Sequence, residues 1–125
     1  MIWLAVAAGG ALGSMARHAV NLLFAHTFER AVPYATASVN LAGSAAIGVL
    51  AGLIATGRLH LSTEMRTFVF VGILGGFTTF SSFMLDTFSL GHGGDHALAF
   101  WNVAVQTACG LIAVWAGYRF GILGH

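Results

Sequence analysis

The nine residues GGFTTFSSF, Gly75 to Phe83, set two glycines, three phenylalanines and four hydroxyls inside an otherwise apolar run. Each type has a defined chemistry at membrane depth. Gly75-Gly76 permits a helix to unwind, and the carbonyls so released are cation ligands that must be buried in protein or line a cavity. Thr78-Thr79 can cap a new half-helix, whose N-terminal dipole end attracts an anion. Phe80 and Phe83 fall three residues apart on one helical face, and a phenyl ring is electropositive at its edge. Together these residue types can meet a cation at the break and an anion beside it. The same two phenylalanines at helical spacing also match ordinary core packing, and spacing alone leaves both readings open.

Further polar residues interrupt the apolar runs. Arg17 has Ser14 one turn before it and Asn21 one turn after; Ser38, Asn40 and Ser44 follow, and Asp86 lies just beyond Phe83. Asn102 and Gln106 place two amides on one helical face, with Thr107 adjacent. Hydroxyls in a membrane helix most often bond the carbonyl one turn back. Asn40 fits either an inter-helix hydrogen bond or a pore contact. Arg17 fits either a snorkelling side chain or a vestibule residue, and Asp86 could cap a helix end. His92 and His96 flank Asp95 in a glycine-rich loop, a poor metal pattern; His18, His26, His60 and His125 are scattered near ends. Cys109, the sole cysteine, has no internal partner, and its small neighbours suggest inert packing.

The elements that must position these groups are membrane helices. Hydrophobic residues make up 58% of the 125 residues and charged residues only 7%, with a mean hydropathy of +0.85. Soluble chains carry roughly one charged residue in four. Four segments with few or no charges, Ile2 to Ala25, Val32 to Thr56, Thr67 to Phe88 and Ala97 to Tyr118, each reach the length of about 20 residues that a membrane-crossing helix needs. The first has no basic n-region and carries Arg17 late, so it reads as a helix rather than a signal peptide. The joining stretches, His26 to Ala31, Gly57 to Arg66 and Gly91 to His96, are short. The expectation is one four-helix transmembrane domain over residues 1–125, with no soluble catalytic domain and no enzyme activity.

Each expected helix carries a small-xxx-small spacing: Gly9 and Gly13, Gly48 and Gly52, Gly72 and Gly76, Gly117 and Gly121. Such pairs let backbones approach closely, and four thin helices point to an oligomer. The net charge of +1 gives no reason to expect nucleic acid or an anionic-lipid cluster. Arg58, Arg66 and Arg119 would lie on the side of both termini and Arg30 on the other, a bias weak enough to permit insertion in both orientations.

GGFTTFSSF, preceded by Gly72-Ile-Leu, closely resembles the central motif of the CrcB/Fluc fluoride channels. The segment GGALGSMARH resembles that family's glycine-rich, arginine-ended first helix, and SVNLAGS resembles its second-helix asparagine motif. The resemblance covers nearly the whole chain. It implies an antiparallel, dual-topology homodimer in the bacterial plasma (inner) membrane, with the third helices broken at Gly75-Thr79 and crossing, and two fluoride pores along the subunit interfaces. It further implies a structural sodium ion at the dimer centre held by the Gly75 and Thr78 carbonyls, ring edges of Phe80 and Phe83 along the path, and Asn40 as amide donor. Ser81 and Ser82 become candidate polar contacts, Arg17 and Asp86 vestibule residues, and Asn102 and Gln106 helix-four pore positions. The implied activity is passive fluoride export that gives fluoride resistance. Two other classes remain open: a small dual-topology, proton-coupled exporter, which would have Asp86 as its only embedded carboxylate, and a purely structural subunit, which would leave the third-helix break unexplained.

Overall fold

The computed structural model describes residues 1–30 and 32–123; Ala31, Gly124 and His125 lie outside them. Among the described residues every regular element is helical. Helix α1 spans Ile2–Thr27 and α2 spans Tyr34–Ala55. The third span is composite: α3 (Thr63–Arg66), a π-helical segment (Thr67–Leu74), α4 (Gly75–Phe77), a non-helical step, and α5 (Ser81–His92). Helix α6 spans His96–Ile122. The helices run a turn or so beyond several expected ends, and Arg66 stands in a helix rather than in a loop. Gly57 and Gly94 make the two turns that need a left-handed residue, with φ of 71° and 90°.

Three spans are long and apolar enough to cross a membrane: Tyr34–Ala55, Thr63–His92 and His96–Ile122, of 22, 30 and 27 residues. Helix α1 has the length, at 26 residues, while its glycines together with Arg17 and His18 reduce its hydropathy.

Packing divides the helices into two pairs. Helix α1 lies against the π-helical segment and α4, and α2 lies against α6 along most of its length. After the break the third span changes neighbour, and α5 packs on α6. The glycines explain the intimacy of both pairs. A Cβ on Gly9 or Gly13 would collide with the backbone of Phe68, Gly72, Ile73 or Phe77. A Cβ on Gly48 or Gly52 would collide with the backbone of Val114, Tyr118 or Gly121. Gly117 and Gly121 are equally tight against Ala45, Val49 and Gly52. All four expected glycine pairs therefore work inside one chain, where dispersion at short range holds helices that lipid would otherwise separate.

Few apolar side chains are buried within the chain, chiefly Ala35, Val39, Leu74 and Phe83 among the described residues. The outer faces carry Leu12, Val71, Phe88, Leu111 and Trp115 exposed, as suits surfaces that meet hydrocarbon or another membrane protein. Cys109 is also on an exposed face, so it takes no part in packing within the chain. Of its small neighbours, Ala108 is exposed with it and Gly110 faces Ser44 of α2.

Gly48→Val should separate α2 from α6, because the obstructing atoms are main chain and cannot rotate away. Overpacking of this kind costs about 1–3 kcal/mol and should lower the thermal unfolding midpoint in detergent. Gly10→Ala, which has open space around its Cβ and lies inside α1, should keep or raise that midpoint.

Candidate functional site

Helical geometry continues through the glycines, with Gly75 at φ −63°, ψ −37°, and fails two residues later. Thr78 is extended at φ −84°, ψ 164°, and α5 begins at Ser81. The break expected over Gly75-Thr79 is thus displaced to Thr78–Phe80. The physical reason is that Gly76 lacks a side chain to let Gly10 and Ser14 of α1 approach, a packing role that is satisfied inside a helix.

Side chains from two neighbouring helices fix the break. Arg17, one turn past Gly13 on the same face of α1, donates from Nε to the Gly76 carbonyl at 3.1 Å. A cation thereby sits at the C-terminal end of the first half-helix, where the helix dipole favours it. The Thr78 hydroxyl donates back to Leu74 O at 2.9 Å. The Thr79 hydroxyl accepts from Ser82 N at 3.1 Å, so one of the two threonines caps the new half-helix as expected.

Asn40 of α2 makes the strongest hold. Its Oδ1 accepts from Thr79 N at 2.8 Å, and its Nδ2 donates to Thr79 O at 2.9 Å. One side-chain amide thus supplies partners for both main-chain groups of Thr79, its N–H and its C=O, which the break leaves outside the helical ladder. Nδ2 also donates to Gln106 Oε1 at 2.8 Å. From there a chain of hydrogen bonds descends α6 and returns to α5: Gln106 Nε2 donates to Asn102 Oδ1 at 2.8 Å, Asn102 Nδ2 to Thr87 Oγ1 at 2.9 Å, and Thr87 Oγ1 to Phe83 O at 2.8 Å. Asn102 and Gln106, at 5% and 7% exposure, are buried polar groups paid for by this network.

Around the break lies an open groove of about 390 Å³ lined by Asn40, Gly43, Ser44, Ile47, Phe70, Leu74, Gly75, Thr78, Thr79, Phe80, Phe83 and Gln106. Phe80 and Phe83 meet edge to face, with centroids 6.1 Å apart and planes at 86°. They differ in setting, since Phe83 is 8% exposed and Phe80, which precedes α5, is 73% exposed. Of the expected site residues, Asn40, Gly75, Thr78, Phe80, Phe83 and Gln106 share this groove, and Asn102 reaches it through the relay. Ser82 and Asp86 instead line a separate cavity of about 220 Å³ with Asn21, Val32, Ala35 and Thr36. Ser81 is exposed at the start of α5. Asp86 lies inside α5 and caps no helix end.

The loop histidines form no centre. No group of three or more His, Cys, Asp or Glu that could hold a metal occurs among the described residues. Asp95 accepts from Leu98 N at 3.2 Å as the cap of α6 and pairs with Arg30 at 3.6 Å. The sequence reading overlooked two participants. Gly43, one turn after Asn40, leaves room for the Thr78 methyl. Thr87, one turn after Phe83, ends the relay. Their spacing from Asn40 and Phe83 was the available signal.

The carbonyls of Gly75 and Thr78 receive no hydrogen bond among the described residues: Thr78 N goes to Leu74 O, Thr79 N to Asn40 and Ser82 N to Thr79 Oγ1. These are neutral, hard oxygens beside the groove.

The profile described as CrcB-like protein, Camphor Resistance (CrcB), matches residues 4–118. The chain belongs to the CrcB family. Curated relatives include proteins named fluoride-specific ion channel FluC from Paramagnetospirillum magneticum, 46% identical over 114 residues that cover 90% of this chain and 89% of the relative. The Paracoccus denitrificans relative of the same name is 47% identical over 120 residues, 95% and 93% of the two chains. That of Rhodospirillum rubrum is 40% identical over 124 residues, 98% and 96%. With this CrcB membership and its apolar spans, the chain is an integral membrane protein.

In this CrcB chain Asn40→Asp should loosen the break. Ionised or protonated, the new side chain offers at most one hydrogen where Asn40 gives two, to Thr79 O and Gln106 Oε1. Leaving a buried acceptor unpaired costs about 1–3 kcal/mol. Lower thermal stability and faster hydrogen exchange at the amides of Thr79 and Ser82 are the expected readouts.

Proposed function

We propose that this chain is a fluoride-selective channel that carries fluoride passively down its electrochemical gradient and so confers fluoride resistance. The observation that supports it most directly is the groove at the break, where an edge-to-face phenylalanine pair, a side-chain amide network and unpartnered carbonyls meet in one place. Its CrcB relatives bearing the name fluoride-specific ion channel FluC agree with this reading. Fluoride is small and strongly hydrated, and losing that shell in hydrocarbon is prohibitive unless other hydrogens replace it. Ring edges of Phe80 and Phe83, with amide hydrogens that Gln106 and Asn102 keep beyond the relay anchored by Asn40, are such replacements. Ser81, at the start of α5, is a further contact. The cavity with Ser82 and Asp86, and the Arg17 end of α4, are the vestibules.

The same reading makes the molecule a four-span subunit of an antiparallel, dual-topology homodimer in a bacterial plasma membrane, with lipid around it. The exposed faces of Phe80, Val71 and Met84 beside the break are the surface a second copy would cover. A sodium ion fits the Gly75 and Thr78 carbonyls by donor type, because hard cations take neutral oxygens. When bound, it supplies positive charge beside an anion route. The proton-coupled exporter is not favoured, since Asp86 is its only embedded carboxylate and it lies away from the groove.

Reconstituted protein should pass fluoride under membrane potential alone, which supplies about 2.3 kcal/mol per 100 mV, with equal pH on both sides. Phe80→Ile and Phe83→Ile should each lower electrode-recorded fluoride efflux from liposomes strongly while preserving helicity. Efflux that needs a proton gradient, or that both variants keep in full, would remove the channel reading. For topology, a cysteine placed in the 57–62 loop in a Cys109→Ala background should be labelled from both membrane faces; labelling from one face alone excludes dual insertion.

A further inference from the structure

A second open groove, of about 490 Å³, lies between the last turns of α2 and the start of the third span, lined by Ala51, Ile54, Ala55, Arg66, Thr67, Phe70 and Val71. The two helices are consecutive and run in opposite directions, so Ala55 and Arg66 stand at its outer end and Ala51, Phe70 and Val71 about one turn deeper. From Ala51 to Ala55 it runs about 6 Å along α2, room for several methylenes of an acyl chain.

The polarity of this groove is gathered at one end. Thr67 donates its hydroxyl hydrogen to Thr63 O at 2.9 Å, which leaves Arg66 as the donor facing the groove. Arg66 is exposed, and the ion pair found among the described residues joins Arg30 to Asp95, so its guanidinium meets no carboxylate. A long side chain on a helix leans toward the N-terminus, and in the first turns of the third span that direction is the water boundary. The wider setting has the same sign. Gly121 packs on Gly52 and Leu53, which brings Arg119 to this end with Arg58 and Arg66. Of the four acidic residues, Glu64 alone is here. Arg58 is turned to the Gly121 carbonyl, and Arg66 is left as the cation over the groove.

We propose that this groove binds one anionic phospholipid, its acyl chain between α2 and the third span and its phosphate on the Arg66 guanidinium. The chain fills a gap that the two helices leave, held by dispersion rather than by transfer out of water. A guanidinium gives phosphate two parallel hydrogen bonds, and a zwitterionic headgroup would bring its own cation toward the arginines. Unlike a basic cluster that gathers anionic lipid by charge alone, this site needs the groove as well as the cation. Val71 marks its inner limit, where the surface offered to a second copy begins, and Phe70 is a wall shared with the groove at the break. The assignment does not depend on which ion the protein carries.

Native mass spectrometry of the delipidated protein in detergent, titrated with phosphatidylglycerol or with diacylglycerol of the same chains, tests both halves. One phosphatidylglycerol per chain should be retained, and diacylglycerol about tenfold more weakly. Arg66→Gln should bring phosphatidylglycerol down to the diacylglycerol level, Ala51→Phe, which fills the slot, should weaken both lipids, and Arg119→Gln should change neither. Undiminished phosphatidylglycerol retention in Arg66→Gln or in Ala51→Phe would overturn the assignment. An equal loss in Arg119→Gln would do so too, because the charge of the whole end would then suffice. Displacement of the lipid by a large excess of inorganic phosphate would make Arg66 a free-phosphate site instead. Dissociation of a dimer by Ala51→Phe with lipid retention unchanged would give the groove to a second copy. If Ala51→Phe fails to fold, as judged by helicity and elution, the two arginine variants decide.

Discussion

The pairing of one side-chain amide with the N–H and C=O of one backbone residue, Asn40 with Thr79, is the constraint on which the arrangement depends. A helix broken in hydrocarbon exposes peptide groups that lipid cannot satisfy. Here the exposed peptide is answered by a residue of another helix, so the break cannot migrate along the third span without orphaning Asn40 as well. The clamp also ties the α2–α6 pair to the third span, at a place where the two pairs otherwise share little surface. Everything beside it inherits its position: Phe83 through Thr87, the Thr78 methyl through Gly43, and the groove as the space left between them.

Close packing and electrostatics divide the remaining work. The glycine faces of α1, α2 and α6 bring backbones together but say nothing about axial register, since a smooth surface can slide. Arginines supply register. Arg17 reaches the Gly76 carbonyl, and Arg58 donates to the Gly121 carbonyl near the end of α6. Both cations end at carbonyls of a helix C-terminus rather than at carboxylates. In a chain with four acidic residues, helix ends are the more available negative partners.

Much of this was legible in residue types. The helical segments followed from apolar length, the interruption from GGFTTFSSF, and the polar partners from the cost of placing Asn40, Asn102 and Gln106 in apolar runs. Other features were not. Gly75-Gly76 suggested unwinding, yet these residues stay helical because their role is to admit α1, and a sequence does not say whether a glycine serves freedom or proximity. The π-helical turn at Thr67–Leu74 has no local signature. Small-xxx-small pairs read equally well as contacts within or between subunits. The direction of the amide relay depends on a peptide distant in sequence, and so it emerges only when α2, α5 and α6 are placed together.

The interleaving of the pairs bears on how the chain can be made. Helix α1 finds its packing surface in residues that follow it by roughly sixty positions, and α2 finds its own in the last helix, whereas α1 and α2, made consecutively, share little contact. A hairpin of α1 and α2 alone would bury little surface. Each glycine face must wait in the bilayer for a later helix, and contacts so distant in sequence assemble slowly. The emergence of α6 is therefore the event that gives α2 its packing surface and α5 its neighbour.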